Sequence, residues 1–404
     1  MMNKKILKVF QSTKPWRDVL RVCRVLESKG HTAWLAGGCV RDALLGKKPQ
    51  DFDVATSAAP EIVERLFKNT ISVGKIFGVI IVKTPSGPLE VASFRKDGLY
   101  IDGRRPETVE LSSPLEDAQR RDFTMNALFF DPHRGELHDF VGGLQDIQKK
   151  TIRAVGDPYG RFNEDKLRMI RAVRFAGQLG FKLSDETAQA IRRYAGQLQV
   201  VSKERIFEEM SKLLLSPFVS KSVICLKETG LEKALSEDLS LDAKFFLKFQ
   251  RVKSKEKRVL GWAVLVNSFL SPETGLQFLA QLKTSAELKT KVTWLLEKLP
   301  QLRDWKRLPL AQKKRLCAHE NFPLLLELST LFFKIKSSDQ KLMKKFRKLP
   351  KPLITSRHLM SRGIKPGARF GELLKKAFDA QLEGEFKTSL QAKSWLDDHL
   401  VDLS

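Results

Sequence analysis

Cysteine and histidine are scarce in this chain of 404 residues, and their spacing excludes several kinds of site. No two of the four cysteines form a Cys-x-x-Cys pair, so neither a zinc site nor a disulfide framework is indicated; they are Cys23, Cys39, Cys225 and Cys317. The six histidines contain no His-x-x-x-His pair, which disfavours a zinc hydrolase. We expect the protein in a reducing cytoplasm.

Long apolar runs and two common catalytic motifs are missing as well. No run approaches the length of a membrane span, and the first residues, Met-Met-Asn-Lys-Lys, lack the apolar core of a secretion signal. Neither a Gly-Lys-Ser/Thr phosphate loop nor a serine-nucleophile turn is present. We therefore expect no membrane partner and predict neither P-loop nor serine-hydrolase chemistry. The oligomeric state stays open.

Acidic residues are outnumbered by basic ones: 47 Asp and Glu stand against 72 Lys and Arg, a net charge of +25. Such an excess favours a polyanionic partner, with nucleic acid ahead of an anionic membrane surface; a basic surface that only aids solubility is the alternative. Dense basic runs at 251–258, 313–315 and 341–348 could neutralise RNA phosphates, although any single run could equally be a solvated face.

The most informative stretch, residues 35–55, combines a Gly-Gly turn with an Asp-x-Asp pair. Gly37 and Gly38 are predicted to precede a short helix, whose first N–H groups could bind a phosphate. Asp51 and Asp53 are predicted on a strand, where alternate side chains share a face and could hold divalent cations. Either half alone is more often structural, but their proximity predicts a site for a metal-bound nucleoside triphosphate.

Two further stretches add candidate residues. Residues 89–94 read as a strand beside the same sheet, so Glu90 is a candidate third carboxylate, or else an exposed Glu on an edge strand. A single helix is predicted over Pro158–Leu179, which places Asp165 and Arg168 on one face. A carboxylate accepts and a guanidinium donates, so this pair could match the edge of cytosine or adenine but not of guanine or uracil. An ion pair within the helix is the alternative.

Five motifs in this order resemble the class II tRNA nucleotidyltransferase (CCA-adding enzyme) and bacterial poly(A) polymerase family. They are Gly-Gly-x-Val-Arg-Asp with Asp-Phe-Asp, Arg-Arg-Asp-Phe-Thr-x-Asn-Ala, Asp-Phe-x-Gly-Gly, Glu-Asp-x-Leu-Arg and Val-Ser-Lys-Glu-Arg-Ile. The match covers about residues 30–215, and residues 364–373 are more loosely similar to the tail of CCA-adding members.

The resemblance implies an α+β fold, in which a polymerase β-type nucleotidyltransferase head with a mixed sheet and helices precedes an all-α neck, body and tail. Strands and helices interleave in the first part of the chain, and the pattern beyond Pro158 is helical, as such a fold requires. The expected domains are a head at 1–150, a neck with base recognition at 151–215, a body at 216–340 and a tRNA-binding tail at 341–404.

Carried over residue by residue, the resemblance implies roles for most of the motif residues. Asp51 and Asp53 would be catalytic and bind two Mg²⁺ ions, with Glu90 as the third catalytic carboxylate. Glu164 and Arg205 would support the base-reading helix. The implied nucleotide-binding residues are Gly37, Gly38 and Arg41 at the triphosphate, Asp122 and Asn126 at the ribose, Asp165 and Arg168 at the base, together with Arg121, Arg171 and Arg174.

The implied activity is template-independent addition of CCA to the 3′ end of tRNA from CTP and ATP, with release of pyrophosphate. Residues 74–82 are similar to CCA-adding members, whereas poly(A) polymerases carry Gly-Arg-Arg-Phe followed by a His-Val strand there. Enzymes that add only CC tend to lack part of the loop that spans 95–121, which is full length in this chain. Enzymes that add only A keep both features. An A-adding tRNA nucleotidyltransferase or a poly(A) polymerase therefore remains an alternative, as does a non-catalytic RNA-binding protein.

Overall fold

A computed structural model describes residues 2–74, 78–98 and 107–401 of the protein. The predictions drawn from segments 74–82 and 95–121 therefore lie partly outside the described residues. Within the described ranges, the helices are too short or too polar to cross a bilayer.

The first part of the chain alternates helices and strands. Its elements are α1 (Met2–Gln11), α2 (Trp16–Glu27), β1 (Ala33–Ala36), α3 (Gly38–Leu44), β2 (Asp53–Thr56), α4 (Pro60–Leu66), β3 (Thr70–Gly74), β4 (Val79–Thr84), β5 (Gly87–Ser93), β6 (Arg95–Asp97), β7 (Val109–Leu111), α5 (Pro114–Gln119), β8 (Leu128–Asp131), β9 (Glu136–Asp139), α6 (Gly143–Gln148) and β10 (Thr151–Ile152).

Seven of these strands form one sheet in the order β3-β4-β5-β2-β1-β8-β9. The pair β2 and β5 is parallel, and the other neighbours run antiparallel, so the sheet is mixed. Alternate residues of β8 pack on opposite faces, as the pleat of a strand requires. Phe130 contacts Phe10 of α1 on one face, and Phe129 contacts Trp34 and Phe94 on the other. Phe129 also belongs to a buried cluster with Ala118 of α5, so helices pack on both faces of the sheet at β8.

The rest of the chain is almost entirely helical. Its elements are α7 (Pro158–Glu164), α8 (Leu167–Leu179), β11 (Lys182–Leu183), α9 (Asp185–Tyr194), α10 (Lys203–Leu214), α11 (Val219–Glu228), α12 (Leu231–Leu235), α13 (Ala243–Phe249), α14 (Lys257–Val266), α15 (Pro272–Gln281), α16 (Ala286–Arg303), α17 (Leu310–Ala318), α18 (Phe322–Phe332), α19 (Ser337–Lys345), α20 (Ser356–Met360), α21 (Ala368–Glu383) and α22 (Ser389–Val401). The predicted α+β class, a mixed-sheet head followed by helices, is confirmed.

The prediction of one helix over Pro158–Leu179 is wrong, because the helix breaks at Asp165. The backbone of Asp165 is extended, with φ −149° and ψ 105°, and separates α7 from α8. Its carboxylate accepts hydrogen bonds from the N–H of Leu167 and from Arg205. Short polar side chains that bond nearby backbone groups compete with a continuous helix and favour a new helix start. Asp165 therefore precedes α8 and does not share a helical face with Arg168.

The chain divides into two compact units. One runs to Val252 and also contains Ser268–Leu270 and Ala280–Lys283; it holds the whole seven-stranded sheet and α7 to α13. The other consists of Lys253–Asn267, Ser271–Leu279 and the chain from Thr284. Within it, the last helices close around their own apolar cluster, which includes Leu359, Phe370, Ala377, Phe386 and Leu396.

Candidate active site

The Gly37–Gly38 turn connects β1 to α3, which begins one residue earlier than predicted. Gly37 has φ 72° and ψ −126°, a conformation that residues with a Cβ rarely adopt. A Cβ at this position would also lie 3.0 Å from Nη1 of Arg121 and 3.5 Å from the carbonyl oxygen of Asn126. The positive φ therefore favours glycine at this turn, and a Cβ would in addition displace the end of the Arg121 side chain slightly. The turn brings the start of α3 beside the Arg-Arg-Asp-Phe-Thr-Met-Asn motif.

Two of the three candidate catalytic carboxylates lie side by side on the sheet. Asp53 is the first residue of β2 and is in register with Glu90 of the parallel strand β5. Burial, and next the negative charges of Glu90 and Asp51, raise the pKa of Asp53 to about 6, although the Arg121 guanidinium opposes the shift. Asp53 is thus a carboxylate whose charge the folded protein only partly compensates.

Asp51 reaches this site by a different route from the one predicted. The argument that Asp51 and Asp53 share a face of one strand is wrong, because β2 begins at Asp53 and Asp51 lies in the bend before it. Asp51 nevertheless lines the same cleft as Asp53 and Glu90, a depression of about 260 Å³. The cleft thus gathers all three candidate carboxylates.

The same cleft contains a fourth carboxylate, Asp18 of α2, that the sequence did not single out. Asp18 accepts hydrogen bonds from the backbone N–H of Ser86, at 2.9 Å, and from its hydroxyl, at 2.5 Å. The hydrogen bond from the Ser86 hydroxyl is the main cause that lowers the pKa of Asp18. Asp18 therefore anchors the turn between β4 and β5, the strand that carries Glu90.

The donor set of the cleft suits a hard divalent cation, which prefers carboxylate oxygens. Among residues 2–74, 78–98 and 107–401, no three His, Cys, Asp or Glu side chains are gathered closely enough to hold a metal ion by themselves. Mg²⁺ usually binds one or two carboxylates and completes its shell with water and substrate phosphates. Asp51 and Asp53 could provide such an incomplete set, and a cation between them would offset the repulsion that raises the pKa of Asp53.

Arg121 is held beside Asp53 by the helix that precedes it. Its Nε and Nη2 donate to Oδ2 of Asp117 at 3.1 and 2.8 Å, and its Nη1 donates to the carbonyl oxygen of Asn126. Burial would raise the pKa of Asp117, but Arg121 and Arg120 outweigh it and lower the pKa. Asp117, which is 1% exposed, was not predicted as a site residue, although its i,i+4 spacing to Arg121 could have indicated the pair.

Arg41, Asn126, Asp122 and Arg171, four of the predicted nucleotide-binding residues, form one hydrogen-bonded chain. Arg41 Nη1 donates to Oδ1 of Asn126 at 2.5 Å, and Nδ2 of Asn126 donates to Oδ1 of Asp122 at 3.1 Å. Oδ2 of Asp122 accepts from Nε and Nη2 of Arg171 at 2.9 and 2.5 Å. Burial would raise the pKa of Asp122, but Arg171 and Asn126 outweigh it and lower the pKa to about 2. Asp122 is therefore ionised at neutral pH.

The predicted base-reading residues lie at the junction of α7 and α8, each with its own partner. Arg205 binds Asp165 through two nitrogens, Nη1 to Oδ1 at 3.1 Å and Nη2 to Oδ2 at 2.7 Å. Arg168 donates to the Glu164 carboxylate and to the carbonyl oxygen of Arg161. Glu164 and Arg205, predicted as support for this helix, thus contact the two residues that they were expected to position.

Arg174, predicted to reach phosphates, is bonded within the protein. Its Nε donates to Oε2 of Glu209 at 2.6 Å, and its Nη1 donates to Oε1 of Gln178 at 2.7 Å. Glu209 also lies 3.6 Å from Nη1 of Arg171. No pattern in the sequence pointed to Glu209, because it lies on α10, 35 residues after Arg174.

Comparison with known proteins places these motifs in a family. Residues 33–153 match the family model described as the poly(A) polymerase head domain, and residues 180–241 match the one described as a probable RNA- and SrmB-binding site of polymerase A. The CCA-adding enzyme of Anoxybacillus flavithermus is 48% identical over 223 residues, which are 55% of this chain and 56% of that protein. Against it and four further relatives the alignment spans only 54–56% of the relative's length.

Two other relatives are similar over nearly their whole length. The CCA-adding enzyme of Streptococcus gordonii is 33% identical over 393 residues, which are 93% of this chain and 96% of that protein. The crystal structure of the Bacillus stearothermophilus CCA-adding enzyme in complex with CTP is similar with a TM-score of 0.80 and 29% identity, over 96% of this chain and 98% of that one. The chain therefore belongs to the tRNA nucleotidyltransferase and poly(A) polymerase family, to which these CCA-adding enzymes belong.

Proposed function

We propose that this protein adds CCA to the 3′ end of tRNA from CTP and ATP, without a template and with release of pyrophosphate. The observation that carries the proposal is the pairing of Asp53 with Glu90 on adjacent parallel strands, with Asp51 in the same cleft. The net charge of +25 suits a polyanionic substrate. The two long alignments, to proteins named CCA-adding enzymes, support the same activity.

In this proposal Asp51 and Asp53 bind two Mg²⁺ ions, and Glu90 is the third catalytic carboxylate. When bound, the ions supply Lewis-acid activation of the RNA 3′-hydroxyl and stabilise the charge of the departing pyrophosphate. The protein contributes no covalent nucleophile. Its carboxylates would hold the cations where the triphosphate binds, and the Arg121 guanidinium partly offsets the burial and the repulsion that raise the pKa of Asp53.

The nucleotide would lie along the hydrogen-bonded chain described above. Gly37, Gly38 and Arg41 would face the triphosphate, because the glycines leave the backbone open to close approach. Asp122 and Asn126 would face the ribose, where an ionised carboxylate and an amide can both meet a 2′-hydroxyl. The remaining proposed contacts are Asp165 and Arg168 to the base, and Arg121, Arg171 and Arg174 to the phosphates.

We propose for the whole chain the division into domains that was inferred from the resemblance. Residues 1–150 would be the catalytic head, 151–215 the neck that reads the base, 216–340 the body and 341–404 the tail that contacts tRNA. The basic runs at 313–315 and 341–348 would meet phosphates of the RNA backbone. We also propose a cytoplasmic location, where thiols such as those of the four free cysteines stay reduced.

The test is a primer-extension assay with the full chain and Mg²⁺, using tRNA that lacks its last three residues and tRNA that ends in CC. CTP, ATP or both are supplied. Three additions that stop at CCA support the proposal. A single A placed only on the CC-ending tRNA would mean an A-adding enzyme with a separate CC-adding partner, and a long A ladder would mean a poly(A) polymerase.

Variants then separate catalysis from RNA binding. Asp53→Ala should abolish addition while tRNA still binds, because the variant removes a proposed metal ligand and leaves the basic surface intact. The matched control is Glu136→Gln, which neutralises an exposed carboxylate on β9 at the far side of the sheet. If no nucleotide is incorporated and no pyrophosphate is released with any tRNA, the protein is a non-catalytic RNA-binding member of its family.

A further inference from the structure

Three arginines lie around one aromatic ring, that of Phe175 on α8. The guanidinium carbons of Arg41, Arg171 and Arg174 lie 5.3, 5.7 and 3.9 Å from the centre of the Phe175 ring. Phe175 is buried and meets Phe123 edge to face, so the ring cannot move out of the way. Cations over a ring face are attracted to it, but three of them in one place also repel each other. Their positions therefore depend on the anions beside them.

Glu209 is the anion that two of these arginines share. Its Oε2 accepts from Arg174, its Oε1 lies 3.6 Å from Arg171, and the residue is only 4% exposed. Burial, and then repulsion from Arg171, lower the pKa of Arg174, whereas Glu209 opposes both effects. An uncompensated pair of buried cations would separate, so Glu209 holds Arg171 close to Arg174.

Arg171 passes this restraint on to the residues proposed to face the nucleotide. It donates twice to Oδ2 of Asp122, and Oδ1 of Asp122 accepts from the amide nitrogen of Asn126. The amide oxygen of Asn126 must then point the other way, where it accepts from Arg41. Donors and acceptors alternate along this series of side chains from Glu209 to Arg41 at the start of α3. The position of Glu209 therefore influences how each of the other side chains is oriented.

We propose that Glu209 is a positioning residue for the nucleotide, which holds Arg171 so that Arg171 orients Asp122 and, through Asp122, Asn126 and Arg41. The inference rests on the proposed function, which places Arg41, Asp122 and Asn126 at the bound nucleotide. It goes beyond that function because Glu209 itself touches no substrate, and it assigns to a buried carboxylate of α10 a part in selecting the sugar.

The proposal predicts which property of the site changes and which does not. Without the carboxylate, Arg171 loses one of its two anions, and Asp122 and Asn126 lose their fixed orientation toward the ribose. Selection of ribose over deoxyribose should therefore weaken for CTP and for ATP alike. Preference for the base should persist, because Arg205 and Glu164 hold Asp165 and Arg168 independently of Glu209.

The experiment is calorimetric titration of the full chain with CTP and with dCTP in Mg²⁺, for the wild type and for Glu209→Gln. Loss of a charge-assisted restraint predicts that the Kd for CTP rises about tenfold while the Kd for dCTP changes little, so the ratio of the Kd for dCTP to the Kd for CTP falls about tenfold. The control is Glu136→Gln, which neutralises an exposed carboxylate on β9 and should leave both constants unchanged. If Glu209→Gln does not fold, Glu209→Asp is used instead, because it keeps the negative charge but places it one methylene farther from Arg171 and Arg174. The ratio of the Kd for dCTP to the Kd for CTP should fall in this variant as well.

The inference is overturned if the ratio of the Kd for dCTP to the Kd for CTP in the folded variant equals that of the wild type, whether the two affinities stay unchanged or fall together. Absence of CTP binding by the wild type would overturn it too. Primer extension with the same preparations distinguishes this inference from the proposed function. A wild type that binds CTP in preference to dCTP, loses that preference in Glu209→Gln, and yet adds nothing to tRNA would refute the function and support the role of Glu209.

Discussion

The ionised Asp53 carboxylate should lower the stability of the metal-free protein relative to a variant with a neutral side chain at this position, because it is buried and lies beside Glu90. Its pKa is raised from 3.8 to about 6 in the folded state. Between these values the folded state binds the proton more strongly than the unfolded chain does, so stability is lost as the pH rises through this window. Asp53→Asn removes the charge at every pH. It should therefore stabilise the metal-free protein by about 3 kcal/mol at pH 8, and by about half of that at pH 5.

Urea unfolding in the presence of a chelator measures this effect, with the wild type, Asp53→Asn and the control Glu136→Gln compared at pH 5 and pH 8. Mg²⁺ should then raise the stability of the wild type at pH 8 but not that of Asp53→Asn, because ligand binding to the folded state adds stability. Asp53→Asn should also abolish nucleotide addition. The reasoning fails if Asp53→Asn is no more stable than the wild type at pH 8, or if its gain does not grow from pH 5 to pH 8.

Three further changes test other parts of the site. Asp122→Asn should destabilise the protein by about 2 kcal/mol at pH 7 in urea unfolding. The pKa of Asp122 is lowered to about 2, so its charge contributes stability that is lost only as the pH falls from 3.8 toward 2. Equal stability of variant and wild type would contradict the ion pair with Arg171. Gly143→Ala should destabilise the protein by about 1–3 kcal/mol, because the new Cβ would lie 2.2 Å from the carbonyl oxygen of Thr124. The control is Gly371→Ala in α21, where a Cβ would meet no atom within 4 Å, and equal effects of the two substitutions would exclude the clash. Arg205→Lys should still bind tRNA but should show a weaker preference for CTP over UTP in primer extension, because Lys cannot donate to both oxygens of Asp165 in parallel as Arg205 does. An unchanged preference would show that Arg205 has no part in base selection.

The features that local sequence predicted correctly depend on residues close together in the chain. The Gly37–Gly38 turn and the helix after it follow from the conformational freedom of glycine and from the next few residues. The change from interleaved strands to helices near residue 158 follows from the spacing of apolar residues. The neighbourhood of Asp53 and Glu90 followed from the expectation that their two strands lie in one sheet, and the parallel register of β2 and β5 brings them side by side.

The two local predictions that were wrong failed for related reasons. Residues 158–179 have helical periodicity throughout, yet Asp165 leaves the helix because it binds Arg205, 40 residues away, as well as the N–H of Leu167. Asp-Phe-Asp has the period of a strand, yet β2 begins only at Asp53, and Asp51 lies in the preceding bend. In both cases the periodicity predicts that an aspartate lies inside a helix or strand, whereas the structure places it at the boundary of that element. At a boundary, the backbone conformation depends on what the side chain contacts.

The sequence by itself determined the order of the motifs and the candidate carboxylates, because these depend on residue type and short spacing. Through the resemblance that those motifs carry, it also indicated the family and the fold class. Only the tertiary structure decided which charged groups meet. Asp18 holds Ser86 across 68 residues, Arg171 binds Asp122 across 49, and Glu209 binds Arg174 across 35. Burial raises the pKa of both Asp53 and Asp122, but neighbouring carboxylates add to this effect at Asp53, whereas the Arg171 guanidinium outweighs it at Asp122 and lowers the pKa. Electrostatic environment depends on distance in space, which the spacing of residues along the chain does not specify.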